Sequence, residues 1–117
     1  MDLSYKQLCQ IGSVIGDSWY ILESKKFFNN YRNFLSAFRD LYPLTNIAYS
    51  YKTNYIPDIC KIVDSNDGFA EVVSEMEYDL AIKLGVKPGK IIVNGPYKPV
   101  KAIEKFLLNG SIVNLDS

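Results

Sequence analysis

The chain has 117 residues, 48% of them hydrophobic and 22% charged, the make-up of an ordinary folded domain, which excludes intrinsic disorder. Lys and Arg number 13 against 13 Asp and Glu, and the basic residues are scattered, which excludes the electrostatic footprint of a nucleic-acid binder or a polybasic membrane anchor. The length excludes a closed eight-fold α/β barrel, which takes about 250 residues, and leaves a single structural unit over 1–117 with no linker or domain boundary.

In chain order, Tyr5 to Val14 carries apolar residues at helical spacing, with Ser4 as N-cap and Gly16 beyond its end, and is expected as a lid or outer helix. Trp19 to Leu22, bounded by Asp17 and Ser24, has the aromatic and aliphatic content of a first strand. Ser24 then opens a helix to Tyr42. Its stripe of Phe27, Phe28, Tyr31, Phe34, Leu35, Phe38 and Leu41 is assigned to the core, and Pro43 stops it. Asn46 to Tyr51 reads as a strand. Pro57 sits in the first turn of a helix with Ile56, Ile59, Cys60 and Val63 inward.

After the Asn66–Asp67–Gly68 loop, Val72 and Val73 form a short buried strand, Glu75 to Leu84 a helix ended by Gly85, and Ile91 to Val93 another strand. Pro99 to Leu108 is helical with Val100, Ile103, Phe106 and Leu107 inward and Gly110 past its end, and Ser111 to Leu115 is a final strand. Strands alternating with helices of about ten residues make βαβ units, and short apolar strands indicate a parallel sheet covered on its faces. The class is α/β.

No apolar run approaches the roughly 20 residues that cross a bilayer, and residues 1–10 lack a signal-peptide layout; the cytoplasm is the expected compartment, with no membrane contact. Cys9 and Cys60 have no Cys-x-x-Cys spacing and are expected as reduced, buried thiols. Histidine is absent, which removes the commonest general base and metal ligand. No metal is expected, and chemistry falls to Lys, carboxylates, Tyr or a borrowed cofactor.

In parallel α/β proteins reactive groups lie at the carboxyl ends of strands. Lys52, followed by Thr53 and Asn54, occupies such an end. A neutral amine there can add to an aldehyde, which is how Lys anchors pyridoxal phosphate, although an exposed Lys at a strand end is more often only solvated. Ser74 and Glu77 have the Ser-x-x-Glu spacing of a capping box, hydroxyl to backbone amide and carboxylate back to the cap. Asn94 and Lys98 lie in the loop after Val93, where they border a substrate entrance or simply flank the turn made by Gly95 and Pro96.

The segment Tyr49-Ser50-Tyr51-Lys52-Thr53-Asn54 resembles the Tyr-Ala-Val-Lys-Ala-Asn motif of the fold type III pyridoxal-phosphate decarboxylases, the ornithine/diaminopimelate/arginine decarboxylase family. Three further segments follow in matching order. Gly68 to Glu77 is similar to the family's Gly-x-Gly-Ala-Asp-Val-Val-Ser-x-x-Glu stretch with Glu71 in place of Asp, Asn94 to Lys98 to its next loop, and Val113 to Ser117 to its Ile-Asn-Val-Asp-Ser.

The resemblance implies the N-terminal half of an alanine-racemase-like (β/α)8 barrel. It implies pyridoxal 5'-phosphate as cofactor, held by Lys52 as an internal aldimine with Glu71 beside it. Asn54, Ser74, Glu77, Asn94 and Lys98 are the further candidates for contact with substrate or for supporting the site. It also implies an amino acid substrate (ornithine, diaminopimelate, arginine or a carrier-bound amino acid) and a homodimer.

The family's ring-stacking imidazole, its glycine-rich phosphate loop and its carboxylate facing the ring nitrogen have no counterpart in the 117 residues. The chain is therefore expected to be a piece of a decarboxylase, inactive alone. The alternative is a catalytically inert regulatory or interaction module built on the same fold. A racemase is disfavoured, because the Gly-His-Gly expected shortly after its cofactor Lys is missing after Asn54.

Overall fold

The computed structural model describes residues 3–16 and 18–115. Asp17, Asp116 and Ser117, which bounded the expected first strand and closed the last motif, lie outside the described residues. Five α-helices, α1 (Tyr5–Ile15), α2 (Ser24–Arg39), α3 (Pro57–Ser65), α4 (Glu75–Lys83) and α5 (Val100–Leu108), are joined by four strands, β1 (Ala48–Ser50), β2 (Phe69–Val72), β3 (Ile91–Val93) and β4 (Ile112–Val113). The strands lie in the order β1-β2-β3-β4, and every pairing is parallel. The expected α/β architecture is thus present as consecutive strand–helix units.

Local chemistry sets the boundaries. Ser4 and Gln7 form a reciprocal capping box that starts α1, and Pro57 opens α3 where a missing N–H costs nothing. Gly85 and Gly110 adopt φ of 94° and 84° beyond α4 and α5. There Val86 N–H donates to the Ala81 carbonyl and Ser111 N–H to that of Phe106, so each glycine lets the chain turn left-handed and drop into the next strand.

Period-two alternation divides the sheet. Tyr51, Ala70, Val72, Ile91 and Val93 are buried against Cys60 of α3, Tyr78 and Ala81 of α4 and Ala102 and Phe106 of α5. The alternate residues Ala48, Ser50, Phe69, Glu71, Ile92 and Ile112 line the other face, away from the residues of α3, α4 and α5 that pack the core. One face is therefore a finished core and the other open. The radius of gyration, 17.4 Å, exceeds the roughly 13 Å of a compact chain of this length, in keeping with a short sheet whose core lies on one face.

Several expectations change. Residues 18–23 form no strand: Tyr20 is fully exposed, and without a ladder partner β-propensity does not organise a segment. Trp19 instead lies beside Gly12 of α1. The strand expected at Val72–Val73 begins at Phe69, because Phe69 N–H already donates to the Ile47 carbonyl.

The stripe of α2 is only partly core. Tyr31 and Leu35 are buried with Phe27 against them, while Phe34, Phe38 and Leu41 remain exposed. Ile56, Val100, Leu107 and Met76 are exposed as well, and Cys9 is an exposed thiol whereas Cys60 is buried. Each of these side chains has the apolarity of a core residue but is left uncovered by the described residues.

Candidate functional site

The carboxyl ends of the strands form one lip. Tyr51 leaves β1 facing the helices, 1% exposed, with its hydroxyl bonded to the Cys60 thiol and pushed well up in pKa, first by burial and then by that bond. With Tyr51 inward, alternation along β1 puts Ser50 on the opposite side of the sheet. Lys52 lies in the turn directly after β1 with an exposed side chain.

Ser50 stands in register with Glu71, Glu71 with Ile92, and Ile92 with Ile112. One step beyond, on the same face, follow Asn94 and Asn114, tied to the sheet by Asn94 N–H to the Val72 carbonyl and Asn114 N–H to that of Val93. Their side chains continue the line. Asn94 Nδ2 donates to Glu71 Oε1 at 3.3 Å, and Asn114 Nδ2 donates to Asn94 Oδ1 at 3.0 Å. Close packing secures this: Gly95 presses on the backbone of Val73, where a β-carbon would sit 2.1 Å from the Val73 carbonyl oxygen.

The lip brings Glu71 and Asn94 together and puts Lys52 in the turn at the end of the neighbouring strand, directly after Tyr51, whose N–H donates to the Glu71 carbonyl. The other candidates stand elsewhere. The Asn54 Oδ1 accepts from Ile56 N–H at 3.0 Å, a turn leading into α3, and Asn54 lines a shallow hollow of about 360 Å³ formed by residues 53–57. The Ser74 hydroxyl caps α4 by accepting from Glu77 N–H at 3.3 Å. Glu77 is buried, and its carboxylate accepts from Val73 N–H at 2.8 Å; its return bond is thus one residue before the cap rather than at Ser74 itself. Lys98 donates to the Gly95 carbonyl and borders a cavity of about 350 Å³ on the helical side, walled by Ser74, Pro96, Tyr97 and Phe106.

Two residues of the lip escape a reading of the sequence. Ser50 carries a buried hydroxyl with no hydrogen-bond partner, and Asn114 completes the amide line. Alternation around the buried Tyr51 would have pointed to Ser50, but Asn114 requires the β3–β4 register.

The donor set fits the aldehyde end of a pyridoxal group. Lys52 has no hydrogen bond or ion pair among the described residues, so its amine is available. Glu71 and the two amides supply polar groups nearby, and Ser50 adds a buried hydroxyl without a partner. Among the described residues no cluster of three or more His, Cys, Asp or Glu side chains is placed to hold a metal ion, and no helix is long and apolar enough to cross a membrane.

Residues 28–117 match the family described as pyridoxal-dependent decarboxylase, pyridoxal binding domain. A diaminopimelate decarboxylase of Aquifex aeolicus (strain VF5) is 30% identical over 101 residues, which cover 86% of this chain and 22% of that protein. Among solved structures, the diaminopimelate decarboxylase from M. jannaschii in complex with L-lysine superposes with a TM-score of 0.83 at 25% identity, covering 94% of this chain and 26% of that one. A mutant diaminopimelate decarboxylase from Helicobacter pylori, also complexed with L-lysine, gives 0.81 at 26% identity, with 97% and 28% covered. The chain therefore spans less than a third of the length of these relatives, and their barrel fold supplies the frame of which its four units are the N-terminal part.

Proposed function

The chain belongs to the pyridoxal-dependent decarboxylase family through its pyridoxal-binding domain, and from that premise we propose that it is the anchoring part of an amino acid decarboxylase, with Lys52 as the residue that holds the cofactor. The carrying observation is the exposed, partnerless Lys52 at the carboxyl end of β1, beside the strand that carries Glu71. Pyridoxal phosphate, when bound, supplies the electron sink that loss of carbon dioxide requires.

The residues of this chain do the holding. Lys52 offers the amine, the burial of Tyr51 fixes the strand end before it, and Glu71 lies on the neighbouring strand. Ser74 and Glu77 keep the β2–α4 corner in shape, and Asn54 shapes the turn that follows Lys52. A basic or diamino acid is the substrate class this reading favours, since relatives of the same frame were solved with L-lysine. Completion of the barrel, by further chain or by a second copy, belongs to the same proposal, as does a cytoplasmic location.

A titration of the chain with pyridoxal 5'-phosphate tests the anchor. Saturable absorbance growth that borohydride makes permanent is expected, and Lys52→Ala should abolish the saturable part. Equal growth in wild type and Lys52→Ala would refute it.

A further inference from the structure

We propose that Asn94 and Asn114 are positioning residues that hold the Glu71 carboxylate away from Lys52, leaving the lysine amine free of an ion pair. The inference rests on the reading of Lys52 as the anchor, and it draws on three observations that do not depend on that reading. Glu71 lies on the strand beside β1, its backbone carbonyl accepting from the N–H of Tyr51, the residue before Lys52, its carboxylate is bonded to Asn94 on the far side, and Lys52 has no partner among the described residues.

The chemistry makes the direction of that bond matter. A carboxylate closing on Lys52 would favour its charged ammonium form, which has no lone pair to give. Addition to an aldehyde needs that lone pair: nitrogen attacks the carbonyl carbon, the carbonyl oxygen leaves as water, and the ammonium proton must already have gone to solvent. Glu is one methylene longer than the Asp of the family motif and reaches further toward β1. The opposing pull comes from β3.

The orientation of the pull is fixed by the second amide. Because Asn94 Oδ1 accepts from Asn114 Nδ2, the Asn94 Nδ2 is the end that faces Glu71, and two donors in series polarise each other toward the carboxylate. Asn94 and Asn114 are both exposed, so Leu substitutions there remove the donors without opening the core.

Reductive methylation of Lys52 with formaldehyde and cyanoborohydride, followed by peptide mass spectrometry, reads the amine without the cofactor. Asn94→Leu should slow methylation of Lys52 relative to exposed Lys83 by about fivefold, the worth of one ordinary hydrogen bond. Asn114→Leu should slow it less. The double variant Asn94→Leu/Glu71→Leu should restore the wild-type ratio, a rescue that general loosening of the loop would not give. An unchanged ratio in Asn94→Leu, or a double variant as slow as the single, would overturn the proposal. Because no pyridoxal is present, failure of Lys52 to anchor the cofactor would register separately, in the titration above.

Discussion

At the scale of single residues, Tyr51 and Lys52 divide the labour of one strand end. The tyrosine is locked into the core beside Cys60, and the lysine after it is exposed. Burial raises the pKa of Tyr51 and, more modestly, of Tyr31 and Tyr49. Above the ordinary tyrosine value of 10.0 the unfolded chain loses these protons while the folded chain keeps them. Stability is thus whole below that pH and falls as pH rises toward the folded values, by up to about 1.4 kcal/mol per pH unit for a fully protected hydroxyl. Denaturant melts across the alkaline range should show this decline, and Tyr51→Phe should flatten it; superimposable slopes would rule out Tyr51 as a contributor.

Lys52 itself was legible from its place after an apolar run and from the motif around it. Ser50 was within reach of the same reading through alternation around Tyr51, whereas Asn114 was not, because it matters only when registered strands place it beside Asn94. Cys9 was misread for a related reason: apolar spacing in α1 identifies a helix face but not whether any neighbour covers it.

Among the elements, the β3–α5 connection does most to build the lip. Asn94 can reach Glu71 because Gly95 lets the loop lie directly on Val73, against an immovable backbone oxygen. Gly95→Ala should cost more than about 2 kcal/mol, the scale of overpacking against rigid neighbours, and should lower the melting temperature by at least several degrees. A melting temperature within one degree of wild type would show that the loop yields instead.

Helix boundaries were readable here because their chemistry is local: Ser4, Pro57, Gly85 and Gly110 each act within a few residues of themselves. The segment Trp19 to Leu22 failed as a strand because strands are not local. Its composition suits a sheet, but no strand lies alongside to pair with it. The exposed Phe34 and Phe38 of α2 record the same limit, since helical periodicity marks a stripe wider than the one that α3 covers.

For the whole molecule, four strands in sequential parallel order leave both β1 and β4 as edges, and Ile112 is 45% exposed on the open face of one of them. Unpaired edges beside apolar surface promote association. Exposed Phe34 on α2 and Leu107 and Leu108 on α5 lie on the first and last helices of the arc. Two copies would bring together eight strands, the number whose barrel interior side chains just fill. Sedimentation of the 117-residue chain should therefore reveal dimers or larger species. Ile112→Lys should shift them toward monomer; a wild-type monomer at all concentrations would refute self-pairing.

Lys52 is one amine among several. Lys61, Lys83 and Lys101 are exposed as Lys52 is, but they lie within helices, whereas Lys52 sits in the turn at the carboxyl end of a strand. Mapping the borohydride-fixed pyridoxyl group by peptide mass spectrometry compares them directly. The account predicts that Lys52 carries most of the label at limiting cofactor and that Lys52→Arg removes that share without raising the others. Label spread evenly over the four lysines would contradict it.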